Sequence, residues 1–205
     1  ITASIASGPG GTLSGGTIAL TDVNGRATFG PSNLIITGPT GSYTLQFNGA
    51  SLTGVTSSAI SLTAGSAARV FVTAQPATAQ SGVAFTTAPA VQVQDAAGNP
   101  VAGAGRSVIV SLLSGSGTLT GTLTQSTNAS GVATFPGLVL TGTIGPRTLL
   151  FSSASIASDT TSAITLTPGT ATALEYVQQP TTVVAGQVIS PSPTVRVRDG
   201  AGNTV

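Results

Sequence analysis

Cysteine, histidine, methionine, tryptophan and lysine are all missing from this 205-residue chain. Each absence closes off a class of chemistry. Without cysteine there is no disulfide, so the core or an assembly must supply the stability, while the compartment stays open. Without cysteine or histidine there is no thiolate or imidazole metal site. Serine and threonine hydroxyls abound, but each needs a base to become a nucleophile, and no histidine or lysine can serve. The missing lysine also rules out lysine–asparagine isopeptide crosslinks.

Charge is scarce as well. The cations are Arg26, Arg69, Arg106, Arg147, Arg196 and Arg198; the acids are Asp22, Asp95, Asp159, Glu175 and Asp199. Charged residues make up 5% of the chain at a mean hydropathy of +0.41, against about 25% in a typical domain. A net charge of +1 offers no clustered basic face for nucleic acid. It favours lateral association instead. No apolar run approaches the ~20 residues of a membrane helix; Val108–Leu113 is among the longest. Ile1 is not an initiator methionine, which leads us to expect a processed or excerpted chain.

What the chain does have is a repeat. Gln94-Asp95-Ala96-Ala97-Gly98-Asn99 returns 104 positions later as Arg198-Asp199-Gly200-Ala201-Gly202-Asn203. Gln75-Pro76 returns as Gln179-Pro180, Ser58-Ala59-Ile60 as Ser162-Ala163-Ile164, and Thr44-Leu45 as Thr148-Leu149. With small indels, Gly25-Arg26-Ala27-Thr28-Phe29 matches Gly131-Val132-Ala133-Thr134-Phe135. This pattern predicts three segments: 1–64, the later part of a module without its first strands; 65–168, a whole module; and 169–205, the opening strands of another.

Short β-prone runs recur between Gly, Asn, Asp, Ser and Pro every 8–12 residues or so, the signature of an all-β sandwich. No apolar 3.6-residue stripe persists for three turns, so helix is not expected. Strands are expected near Ala68–Ala74, Val91–Asp95, Ser107–Leu112, Gly117–Leu123, Gly131–Phe135, Leu138–Leu140, Arg147–Ser152 and Ala163–Thr167. Val91-Gln92-Val93-Gln94 and Val195-Arg196-Val197-Arg198 alternate, with valine expected inward and Gln or Arg outward. Tyr43, Leu45 and Phe47 alternate likewise, as do Arg147, Leu149 and Phe151, and Phe29 and Phe135 are expected central in their cores. Short joints at Thr63–Ser66 and Thr167–Thr170 predict a semi-rigid string of beads.

Three stretches then resemble one family: Val91-Gln92-Val93-Gln94-Asp95-Ala96-Ala97-Gly98-Asn99-Pro100-Val101, Ser130-Gly131-Val132-Ala133-Thr134-Phe135, and Thr141-Gly142-Thr143 leading to Arg147-Thr148-Leu149-Leu150-Phe151. They are similar to the bacterial immunoglobulin-like repeats of the invasin/intimin type, found in tandem in surface proteins. The resemblance implies tandem Ig-like β-sandwich modules, about 104 residues each, at the cell surface or outside the cell. It implies stalks, spacers or adhesive fibres, and no shared catalytic residues.

The individual motifs have modest readings. Each Asp-x-x-Gly-Asn loop has one carboxylate, too few for calcium, and is expected to be a turn in which Asp bonds its own backbone. Asn24-Gly25 is a hairpin signal. Asp95 and Asp159 are expected in exposed loops and Arg196 and Arg198 as solvated residues, while Tyr43 and Tyr176 are expected in core or joint packing. Asn128-Ala129-Ser130 fits a glycosylation sequon. No cofactor, metal or catalytic site is expected.

The split module carries the functional expectation. Two absent strands remove several inward side chains, each stabilising by about 1.5–3 kcal/mol, a loss comparable with a domain's total of about 5–15 kcal/mol. Residues 1–64 would then present an open acceptor core of Ile5, Phe29, Leu34, Ile36, Leu45, Phe47 and Ile60. The donors expected to fill it are Leu174, Tyr176, Ile189, Val195 and Val197 of a neighbour, added as strands at an exposed edge. A heterologous contact of this kind builds an open filament of copies, head to tail. The expected role is a structural subunit of an extracellular bacterial filament or surface fibre, with any host or surface receptor undefined. Alternatives are a stalk or spacer segment of a giant repeat adhesin, in which the same interface lies within one longer chain, and a carbohydrate-binding module.

Overall fold

The computed structural model describes residues 1–30 and 34–205. They divide into two compact units, Ile1–Ala68 with Gln94–Val101 and Arg69–Val93 with Ala102–Val205. Among the described residues every regular element is a strand. The fold is all-β, as the period-2 pattern and frequent turn residues dictate.

The first unit contains β1 (Thr2–Ser7), β2 (Thr12–Ser14), β3 (Ile35–Thr37), β4 (Gly41–Asn48), β5 (Val55–Thr56) and β6 (Ile60–Leu62). Strand β4 is its hub, antiparallel to β1, β5 and β6, while β2 and β3 form a separate ribbon. The pleat turns Tyr43 and Leu45 inward, both buried, and Phe47 half-inward. The Phe29 ring lies 5.1 Å from that of Phe47.

The second unit opens with β7 (Arg69–Ala74), β8 (Thr78–Gln80) and β9 (Ala90–Gln94, its last residue belonging to the first unit). Then come β10 (Ser107–Ser114), β11 (Thr118–Thr120), β12 (Thr124–Ser126), β13 (Val132–Thr134) and β14 (Val139–Thr141). Last are β15 (Gly145–Ser152), β16 (Asp159–Thr160), β17 (Ile164–Thr167), β18 (Ala171–Gln178) and β19 (Thr194–Asp199). One sheet runs β12-β10-β15-β17-β8, with β8 parallel to β17; a second runs β13-β9-β7. Val91, Val93, Val108, Val110, Phe135, Leu138, Leu140, Leu149, Phe151, Ile164 and Leu166 make a closed apolar core. The Phe135 and Phe151 rings are 5.2 Å apart, repeating the Phe29–Phe47 pair.

Some sequence expectations need correction. The single strand expected over Gly117–Leu123 is broken: β11 stops at Thr120, Gly121 takes φ +107°, and β12 starts at Thr124. Only glycine accommodates that backbone without strain. Phe135 is central as expected, whereas Phe29 is only half-buried.

Arg147 shows how a buried polar residue replaces an aromatic one. Its Nε donates to Ser116 O at 2.8 Å, Nη1 to Pro146 O at 2.8 Å, and Nη2 to Thr143 O. At the matching place in the first unit the Tyr43 hydroxyl donates to Pro39 O at 2.8 Å and to Gly10 O. Both side chains tie a strand to the loop before it. Arg147→Ala is expected to cost about 2–4 kcal/mol, since the Ser116, Pro146 and Thr143 carbonyls lose charge-assisted donors from a buried side chain. Arg147→Tyr should recover most of that loss, as urea melts of the two variants would show.

Candidate functional site

Among the described residues four turns are built alike. Asp22, Asp95, Asn128 and Asp199 each accept, through one side-chain oxygen, backbone N–H groups two and four residues on. The fourth residue of each is glycine, at φ between 75 and 88°. These are the side-chain-capped turns that the Asp and Asn-Gly spacing predicts.

Two of the four do more. In the first unit Asp95 Oδ2 also accepts the Gly65 N–H at 2.8 Å and Asn99 Nδ2 at 2.9 Å. Asn99 then donates to Gly38 O at 3.0 Å and accepts the Thr40 N–H at 2.9 Å. In the second unit Asp199 Oδ2 accepts the Gly169 N–H at 2.6 Å and Asn203 Nδ2 at 2.8 Å. Asn203 donates to Gly142 O at 3.0 Å and accepts the Ile144 N–H at 2.9 Å. Every partner in one clasp stands 104 positions from its counterpart in the other.

Asp95 and Asn99 are buried, as are Asp199 and Asn203. The exposed-loop expectation for Asp95 is therefore corrected: its loop folds in because both carboxylate oxygens find N–H donors. Hydrogen bonds from Asn99 Nδ2, then from the Gly65 N–H, bring the Asp95 pKa down to about 2. At Asp199 burial pushes the pKa up, but the bonds from Asn203 and Gly169 outweigh it, and the value is again about 2.

The other acids also hold structure. Asp159 lies in β16, half-buried rather than in an exposed loop, and accepts the Val72 N–H at 2.8 Å. Asp95 belongs to the first unit and Asp159 to the second. Glu175 accepts from Arg196 Nε at 2.8 Å and from Arg198 Nε. The two arginines are thus paired, not merely solvated. The Arg198 hydrogen bond, then the two positive charges, hold Glu175 below the usual carboxylate range. At the matching places in β7 and β9 stand Phe71, Gln92 and Gln94, so the charged triad is particular to the β18–β19 ribbon. Among the described residues no group of three or more acidic, His or Cys side chains could hold a metal ion.

That ribbon pairs Leu174 with Val197 and Tyr176 with Val195. All four side chains are exposed, as is Ile189. Two expectations change here. Val195 and Val197 do not face a core, and Tyr176 is not packed. The alternation is right, but the face it defines is bare. In the first unit, Leu45 is buried, Ile5, Phe29, Leu34, Ile36 and Phe47 are half-buried, and Ile60 is exposed.

No protein-family model matches the chain, and no curated protein does. Among solved structures it is similar to a glycosyl hydrolase family 2 member from Bacteroides cellulosilyticus, at 15% identity and a TM-score of 0.40 over 71% of this chain. It is similar to domains 4–9 of the surface layer protein SbsC, at 13% identity and a TM-score of 0.33 over 98% of this chain. It is also similar to the D0–D1 domain of intimin, at 15% identity and a TM-score of 0.34, over 80% of this chain and 79% of that one. The chain spans 21% of the hydrolase and 37% of the SbsC segment.

Proposed function

We propose that this chain is a structural subunit of an extracellular bacterial filament or surface fibre, assembled head to tail by completion of split Ig-like modules. One observation carries the reading: matched positions are covered in the middle of the chain and bare at its tail. Val70 is 1% exposed and its counterpart Leu174 71%; Val91 is 0% exposed and its counterpart Val195 55%. The half-buried Phe29, Leu34, Ile36 and Phe47 tell the same story from the other side, because Phe135, Leu138, Leu140 and Phe151 at their matching places are fully buried. In the central module β7 and β9 supply the cover. The bare ribbon β18–β19 has their sequence pattern, and the first unit has the core that such a ribbon covers.

On this reading the occupant of the bare face is a second copy's residues 1–64. Leu174, Tyr176, Ile189, Val195 and Val197 fill that copy's core, and main-chain bonds close its sheet. The contact joins different faces of identical subunits, so it propagates instead of closing. The clasp at Asp199 fixes the donor ribbon to the module before it. Load then passes along the fibre through sheets and clasps.

The full chain, concentrated, sized and imaged, should give fibres, and Val195→Asp should abolish them while leaving the central module's melt unchanged. Val195 is exposed in the free chain, so the variant folds. Monomers at every concentration would leave the stalk reading, in which the covering strands belong to one longer polypeptide. Fibres unaffected by Val195→Asp would remove the donor role of the ribbon.

A further inference from the structure

We infer that the segment Thr182–Val184, irregular in the free chain, becomes a third docking strand on completion, running parallel to β6 of a second copy. This rests on the completion reading and adds a partner strand, a direction and a register to it.

The template lies in the central module. There β8 runs parallel to β17 in the register Thr78 with Thr165, Ala79 with Leu166 and Gln80 with Thr167. The chain after it is stitched on by Ser81 N–H to Thr167 O at 3.0 Å, Gly82 N–H to Leu140 O at 3.0 Å and Phe85 N–H to Leu138 O at 2.9 Å. Moving each residue by one repeat places Thr182 beside Ser61, Val183 beside Leu62 and Val184 beside Thr63. The N–H groups of Ala185, Gly186 and Ile189 then face the carbonyls of Thr63, Ile36 and Leu34.

Both sides are ready for this. Among the described residues β6 pairs with β4 alone, whereas its counterpart β17 pairs with β15 and β8. The turn that follows the strand already exists: Gln187 N–H donates to Val184 O at 3.0 Å, as Val83 N–H does to Gln80 O at 3.1 Å. Side chains agree too. Ala79 and Phe85 are buried, while their counterparts Val183 and Ile189 stand exposed. Thr182-Val183-Val184 is also a better strand former than Thr78-Ala79-Gln80, being β-branched throughout. A segment so apolar, held as a strand before docking, would offer an edge for indiscriminate pairing. Staying irregular until the acceptor arrives avoids that hazard.

The test uses the full chain with Thr28→Cys and Thr194→Cys. These positions match Thr134 and Ala90, which are Cα partners in the β13–β9 pair, and the chain has no other cysteine. Oxidation should give a ladder of disulfide-linked oligomers. In those oligomers, hydrogen exchange at the amides of Ala185, Gly186 and Ile189 should slow about a hundredfold or more relative to the reduced, dilute chain. A ladder with these three amides still exchanging at the free-chain rate overturns the third strand and leaves completion standing. No ladder together with no protection overturns completion, and this inference with it.

Discussion

Phe135→Ala is expected to destabilise the second unit by about 3–5 kcal/mol, while Phe29→Ala costs the free chain about 1–2 kcal/mol, as for partial burial. Both rings sit against a second phenylalanine at nearly the same distance, 5.2 and 5.1 Å, so the aromatic pair does not create the difference. Cover does. Phe135 is wholly enclosed, and its N–H donates to Pro89 O at 2.8 Å, in the chain leading into β9. Phe29 is half-buried. Urea melts at subunit concentrations below assembly should show the asymmetry directly. In the proposed fibres the two costs should converge, because a second copy would enclose Phe29. Equal costs in the dilute chain would mean that the first unit's core is already closed, and completion would have nothing to fill.

Asp199→Ala is expected to release the β18–β19 ribbon. It strips partners from the N–H groups of Gly169, Ala201 and Asn203 and from Asn203 Nδ2. A buried donor left unpaired costs about 1–3 kcal/mol, and more where the lost partner was charged. Limited proteolysis within 169–205 and exchange at the Gly169 amide should both accelerate, while the central core melts as before. An unchanged Gly169 exchange rate would show that the clasp does not hold the ribbon.

Acid should act in the same direction. A carboxylate whose folded pKa of about 2 lies below its ordinary 3.8 stabilises the fold fully above about pH 5. That contribution fades as pH falls from about 4 toward 2, where the carboxylate takes up its proton. Asp95, also at about 2, follows the same course. Both clasps should therefore loosen together below about pH 4, and ribbon proteolysis should be flat from pH 5 to 8.

Much of this was legible in residue order, though unevenly. Alternation in Val91–Gln94 and in Tyr43, Leu45 and Phe47 declares strand and face together, because pleating leaves no other way to sort such side chains. The strands β8, β12 and β16 are two or three residues long, too short to carry a period. The clasps were half visible. An Asp with Gly and Asn behind it announces a turn, but the second carboxylate oxygen reaches a glycine 30 residues earlier, which no local spacing encodes. Its trace was the recurrence of Gly65 as Gly169 in step with the acid and the amide. The bare face of Val195 and Val197 was hidden for a different reason: alternation says which side is apolar, not whether anything lies over it.

The clasps touch their neighbours almost wholly through peptide groups: Gly38 O, the Thr40 N–H and the Gly65 N–H in one, Gly142 O, the Ile144 N–H and the Gly169 N–H in the other. Threonine in one and isoleucine in the other serve equally, since neither side chain makes the bond. A fastening that grips only main chain is indifferent to what its neighbour has become by mutation. In the proposed fibre the modules could therefore diverge or be exchanged without any new fastening having to evolve.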